Sequence, residues 1–124
     1  MPKVVVIVED TETIASSLAL AFENIPGVKA MVAHHSKAAL RLFANPEIPI
    51  GALVTDLHLP YLDGFELIRE VRKLAAYRDL PAILITADER ADLGNGSAPH
   101  SPNAIFRKPF SLKEVCRVLE ELLQ

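Results

Sequence analysis

The apolar positions of this chain switch repeatedly between two periods. Val4–Val8 is an unbroken β-branched run, the pattern of a strand buried on both faces. From Ile14 the period becomes helical, with Ile14, Leu18, Ala21, Phe22 and Ile25 on one face until Pro26-Gly27 stops it. Val28–Ala33 predicts a second strand. Ser36 is placed as the N-cap of a helix carrying Leu40 and Phe43, closed by Asn45-Pro46. Ala52–Thr55 is a third apolar run, and Phe65, Ile68 and Val71 with Leu74 or Ala75 mark the next helix. Ala82–Thr86 and Ala104–Arg107 predict the fourth and fifth strands. Ser111-Leu112-Lys113-Glu114 then has the form of a capping box, opening a last helix through Val115, Val118, Leu119 and Leu122.

Regular strand–helix alternation implies an α/β domain with a parallel sheet covered by helices on both faces, since parallel neighbours need crossovers. The 124 residues are read as one domain spanning 1–124, long enough to bury a core without staples. The alternation breaks once, at GNGSAPHSP, residues 94–102. An interior Pro costs about 3 kcal/mol in a helix and each Gly about 1, so an irregular loop is expected there. It is not a domain linker, because one strand and one helix after it are too little for a second core. Nor is it a Walker-type phosphate loop, which needs a Lys and a preceding strand.

The bulk chemistry removes several classes. A net charge of −3 argues against a nucleic-acid surface, which needs clustered Lys and Arg. No apolar run approaches the roughly 18 residues of a membrane span, and MPKVVVIVED is too short in its apolar run for a secretory signal. The single cysteine, Cys116, allows no internal disulfide and suits a reducing cytosol, so a cytoplasmic location is expected. His34, His35 and His100 lack metal-ligand spacing and are expected at the surface, and Cys116 is expected to serve packing in the last helix.

The polar residues are more informative. The first strand runs into Glu9-Asp10, the third into Asp56, the fourth into Thr86 and the fifth into Lys108-Pro109. Taken singly, an acid after a strand is often just the N-cap of the next helix, and Lys108 a solvated charge. Taken together, all fall at strand carboxyl ends, where open parallel sheets bind their ligands. Three carboxylates brought together must protonate or be held by a cation, and an oxygen-only set suits a hard ion, most naturally Mg²⁺. With an ammonium and a hydroxyl beside them, they form a receptor for a phosphoryl group, with a carboxylate available as nucleophile.

VVVIVED, ALVTDLHLPYLDG, AILITAD and AIFRKPF together resemble the receiver domain of bacterial two-component response regulators, of the chemotaxis-regulator kind, over essentially the whole chain. The resemblance implies a flavodoxin-like, doubly wound five-stranded sheet in the order 2-1-3-4-5. It implies Asp56 as phosphoacceptor, and Glu9, Asp10, Asp56 and the backbone carbonyl of His58 around Mg²⁺. Thr86 would be the hydroxyl that moves toward the phosphoryl group, Ala87 its small neighbour, and Lys108 its salt-bridge partner, with a cis peptide to Pro109.

Two departures stand out against that family. The segment that would hold the fourth helix is broken by glycines and prolines, so that helix is expected to be shortened or disordered. The position three before the Lys, usually aromatic, is Ile105, while Phe106 should face the other side of the strand. His58 and Asp88 flank the site; two readings stay open, that they influence the attacking water or that they are solvated bystanders.

The function implied is a phosphoacceptor switch fed by a sensor histidine kinase or a histidine phosphotransfer protein, acting through altered protein contacts. It is not expected to be an enzyme beyond its own phosphoryl transfer and autodephosphorylation. A monomer or weak dimer is expected. With no effector domain after the last helix, the chain is either a stand-alone regulator or a piece of a longer protein. The competing readings are a phosphorylation-independent binding module, motivated by Ile105 and the broken helix, and an aspartate-nucleophile phosphatase, which would need its nucleophile after the first strand. A flavodoxin-like FMN carrier would need a Gly-containing phosphate loop that EDTETIASS lacks.

Overall fold

The computed structural model describes residues 2–87 and 101–124. Five strands, β1 (Lys3–Val8), β2 (Val28–Ala33), β3 (Ile50–Asp56), β4 (Ala82–Thr86) and β5 (Ala104–Arg107), form one parallel sheet in the order β2-β1-β3-β4-β5. Four α-helices lie among the described residues: α1 (Glu12–Glu23), α2 (Ser36–Phe43), α3 (Gly64–Arg72) and α4 (Leu112–Leu123). The expected break in the fourth helix, most of the glycine–proline loop, Asp88 and His100 fall outside the described residues.

The pleat of β1 divides the core. Val4, Val6 and Val8 face one layer with Ala39 and Phe43 of α2 and Leu67, Ile68 and Val71 of α3. Val5 and Ile7 face the other with Leu18 and Phe22 of α1 and Val115 and Leu119 of α4. That is why the run reads as continuously apolar: both faces are covered. Burying each of these Val, Leu, Ile or Phe side chains contributes roughly 1.5–3 kcal/mol. Helix α1 stops at Glu23, and the chain turns back through Gly27 at φ +79°, a left-handed conformation that glycine adopts without a steric penalty.

Three local expectations need correcting. Ser36 is the first residue of α2 rather than its cap; His35 Nδ1 accepts from the Ala38 amide at 3.1 Å instead. The Ser36 hydroxyl is drawn away to the loop after β3, donating to the Pro60 carbonyl at 3.0 Å. The capping box at Ser111 is half formed: Ser111 Oγ accepts from the Glu114 amide at 3.2 Å, while the Glu114 carboxylate turns to Arg117 at 2.9 Å. Finally, α3 ends at Arg72 and Leu74 lies outside it, because a 3₁₀ turn at Ala75–Tyr77 brings the Tyr77 ring edge-on to Phe43 at 5.1 Å. A complete capping box does occur at the other end of α3, between Asp63 and Glu66.

Candidate functional site

Strand register decides which polar groups meet. Val8 of β1 pairs with Thr55 of β3, and Asp56 pairs with Ile85 of β4, so Glu9 and Asp56 emerge side by side at the carboxyl edge. Thr86 pairs with Arg107, which brings Lys108 out next to them. The loop after β1 leads to α1 on one face and the loop after β3 to α3 on the other. The crevice between β1 and β3 is therefore the switch point where open sheets hold ligands.

Carboxylate oxygens of Glu9, Asp10 and Asp56 all lie within 4.8 Å of one another. Glu9 and Asp56 are buried, whereas Asp10 is exposed. Lys108 Nζ donates to Glu9 Oε1 at 3.0 Å and stands 3.5 Å from Asp56 Oδ2. The other Glu9 oxygen accepts from the Thr11 amide at 3.1 Å. One ammonium thus faces three carboxylates, leaving an excess of negative charge on an all-oxygen donor set, which suits a hard divalent cation.

The electrostatics follow from burial. Burial pushes the Glu9 carboxyl above its ordinary range; the Lys108 and Thr11 hydrogen bonds pull it down, the Asp56 charge pushes it up, and burial wins. Burial also pulls the Lys108 ammonium down, but its hydrogen bond to Glu9 and the charges of Asp56 and Glu9 hold it above the usual lysine value. Lys108 therefore remains a fixed positive charge, while burial makes Glu9 easier to protonate than an ordinary glutamate.

The remaining candidates lie around this centre. Thr86 is buried at the end of β4, and its carbonyl accepts from the Lys108 amide at 2.8 Å. Ala87 follows at an exposed position, as does His58 after β3. Ile105, opposite Leu84, packs with the α2–α3 layer, and Phe106, opposite Ile85, packs with the α1–α4 layer. The Lys108–Pro109 peptide is cis. Pro109 and Lys108 border a groove of about 540 Å³ with Thr13, Ile14, Ser17 and Leu112. Asp88 lies outside the described residues.

One contributor escapes sequence reasoning, and a second enters it only as the last residue of ALVTDLHLPYLDG. His34, expected only as a surface residue, has Nδ1 3.3 Å from the Glu9 carbonyl and Nε2 3.7 Å from Glu12 Oε2. Gly64 closes the loop after Asp56: its amide donates to the Leu57 carbonyl at 2.8 Å. A Cβ at Gly64 would come within 2.6 Å of the Asp56 carbonyl oxygen, so glycine is required there for close approach. The Asp-Gly pair at 63–64 was the available signal.

Comparison with known proteins agrees with this geometry. A family model described as the response regulator receiver domain matches residues 5–120. A 14.6 kDa protein of the sodA1 3′ region of Leptolyngbya boryana is 32% identical over 117 residues, 94% of this chain and 87% of that protein. The response regulator MprA of Mycobacterium sp. strain KMS is 33% identical over 124 residues, all of this chain and 52% of MprA, so the chain spans about half that relative's length. A crystal structure of a putative response regulator from Chloroflexus aurantiacus J-10-fl superposes with a TM-score of 0.85 at 26% identity, covering 99% of this chain and 98% of that one.

Proposed function

The chain belongs to the response regulator receiver domain family, and from that membership we propose that it is a Mg²⁺-dependent phosphoacceptor switch. Asp56 takes the phosphoryl group from a sensor histidine kinase or a histidine phosphotransfer protein. The observation that carries this reading is the juxtaposition of a buried Asp56 with Lys108 Nζ at 3.5 Å and with two further carboxylates within 4.8 Å.

Glu9, Asp10 and Asp56, with the His58 backbone carbonyl, are the groups that would hold Mg²⁺. When bound, the ion supplies positive charge against the phosphoryl oxygens. An Asp56 carboxylate oxygen attacks phosphorus, the P–N bond to the donor imidazole breaks, and its electron pair stays on the imidazole nitrogen. Asp56 is then an aspartyl phosphate. Lys108 balances the charge the phosphoryl group brings, the Thr86 hydroxyl donates to one of its oxygens, and the small Ala87 side chain leaves room for it. Hydrolysis reverses the state: water attacks phosphorus, the P–O bond to Asp56 breaks, and inorganic phosphate leaves as the carboxylate is restored.

Output passes through altered protein–protein contacts, with Ile105 in the place of an aromatic switch residue, and the protein acts in the cytoplasm as a monomer or weak dimer. No described helix is long and apolar enough to cross a membrane. No second substrate is turned over, so p-nitrophenyl phosphate should not be hydrolysed. The test is incubation with acetyl phosphate, with and without Mg²⁺, read by intact mass. The wild type should gain one PO₃ unit only with Mg²⁺, and Asp56→Asn should gain none; equal labelling of the variant would refute the reading.

A further inference from the structure

Tyr61 is the one described residue other than glycine with positive φ, at +76°. Its side chain does not hold it there by burial, since the residue is 68% exposed. A left-handed backbone disfavours any residue with a Cβ, so something else must fix the bend. Three consecutive residues at the start of α2 do so. Ser36 Oγ, fully buried, donates to the Pro60 carbonyl at 3.0 Å and accepts from the Leu62 amide at 3.2 Å, gripping the backbone on both sides of Tyr61. Lys37 Nζ stands 4.1 Å from the Tyr61 ring centroid. The His35 ring meets Tyr61 edge-on at 5.9 Å while its Nδ1 caps α2.

We propose that His35, Ser36 and Lys37 form a positioning clasp that holds the left-handed bend at Tyr61 and thereby sets the loop that follows Asp56 and carries His58. The loop closes on the site at both ends. The Gly64 amide bonds the Leu57 carbonyl at 2.8 Å, and Gly64 packs against the Asp56 carbonyl too closely for a Cβ. A bend that relaxes at Tyr61 must therefore be taken up between Leu57 and Asp63, next to the phosphoacceptor. The proposal rests on the reading of Asp56, Glu9 and Asp10 as a Mg²⁺ site. None of the three clasp residues touches the phosphoryl group; they act through the loop.

Glycine at position 61 adopts this φ without help, which yields a test that separates positioning from mere stability. Mg²⁺ titrations followed by amide chemical shifts are run on the wild type, Ser36→Ala, Tyr61→Gly and the double variant, with Lys37→Gln as a surface change that leaves the core intact. Amide hydrogen exchange at Leu62 and Gly64 is read without metal. Ser36→Ala should weaken Mg²⁺ binding about fivefold to thirtyfold, the range expected when a left-handed bend loses its support, and should speed exchange at Gly64. Lys37→Gln should weaken binding about twofold to fivefold, the range of an exposed cation–π contact. In the Tyr61→Gly background, Ser36→Ala should change Mg²⁺ affinity by less than about twofold, since Gly no longer needs the clasp. An equal loss from Ser36→Ala in both backgrounds, or no loss in either Ser36→Ala or Lys37→Gln, overturns the clasp. If the rescue holds while acetyl phosphate leaves wild-type Asp56 unlabelled, the clasp stands and the phosphoacceptor reading fails. If Asp56 is labelled and the rescue is absent, the reverse is true.

Discussion

Replacing Glu9 by Gln should stabilise the metal-free protein. At an effective dielectric of about 20, a Lys108 ammonium 3.0 Å from Glu9 attracts it by about 5.5 kcal/mol. An Asp56 oxygen no farther than 4.8 Å repels it by at least about 3.5 kcal/mol, and the exposed Asp10 by roughly 1. These charges nearly cancel. What remains is the desolvation of a carboxylate only 2% exposed, several kcal/mol for a buried ion. Gln keeps the shape but satisfies only one of the two donors, Thr11 N and Lys108 Nζ, which returns about 1–2 kcal/mol of the gain. The net stabilisation is about 1–2 kcal/mol, or about 4–8 °C in Tm for a domain of this size. The pH dependence carries the sign. Because burial raises the folded Glu9 pKa, the stability tied to its protonation is present below the unfolded value and lost as pH rises through the folded one. The gap between Glu9→Gln and wild type should therefore be widest at neutral pH and close on acidification. Differential scanning calorimetry across that range, without divalent ions, is the assay. A variant that melts below wild type at neutral pH, or a gap that widens with acid, would refute the reasoning.

Mg²⁺ must compete with the proton on Glu9, so Mg²⁺ affinity measured by calorimetric titration should begin to fall at a higher pH than ordinary carboxylate titration would give; an unchanged affinity down to the ordinary glutamate range would oppose this. Arg72→Ala removes hydrogen bonds to the carbonyls of Leu80 and Ser101 and to Asn103 Oδ1, and urea unfolding should show a loss of about 2–4 kcal/mol, against nearly none if these bonds are incidental. Gly64→Ala places a Cβ 2.6 Å from the Asp56 carbonyl oxygen and from Leu84 Cδ1; overpacking of this kind costs about 1–3 kcal/mol, and the variant should also label more slowly with acetyl phosphate.

Apolar runs set off by turn and helix signals carried the sheet: Val28–Ala33, Ala82–Thr86 and Ala104–Arg107 form strands with those bounds, β4 buried on both faces and β2 and β5 partly buried at the sheet edges. The site was legible because its residues sit at strand ends. Glu9 and Lys108 directly follow a strand and Asp56 and Thr86 end one, and register brings these ends level, so position along the chain became position in space. What stayed hidden depends on partners distant in sequence. Ser36 looks like a helix cap until Pro60 and Leu62 compete for its hydroxyl, which leaves the cap to His35. Tyr61 carries no sign of a left-handed backbone, since that conformation comes from the contacts around it rather than from tyrosine. Glu114 could complete a capping box, but Arg117 one turn on offers a charge. Asp63 and Glu66, by contrast, have the spacing of the capping box they form.

The central claim is that one aspartate among several clustered acids receives the phosphoryl group. Borohydride reduces an aspartyl phosphate to homoserine, so treating the Mg²⁺- and acetyl phosphate-loaded protein with borohydride and sequencing its peptides identifies the acceptor. Homoserine at position 56 alone is the predicted result; homoserine at Asp10 or at any other aspartate, with position 56 unchanged, would contradict it.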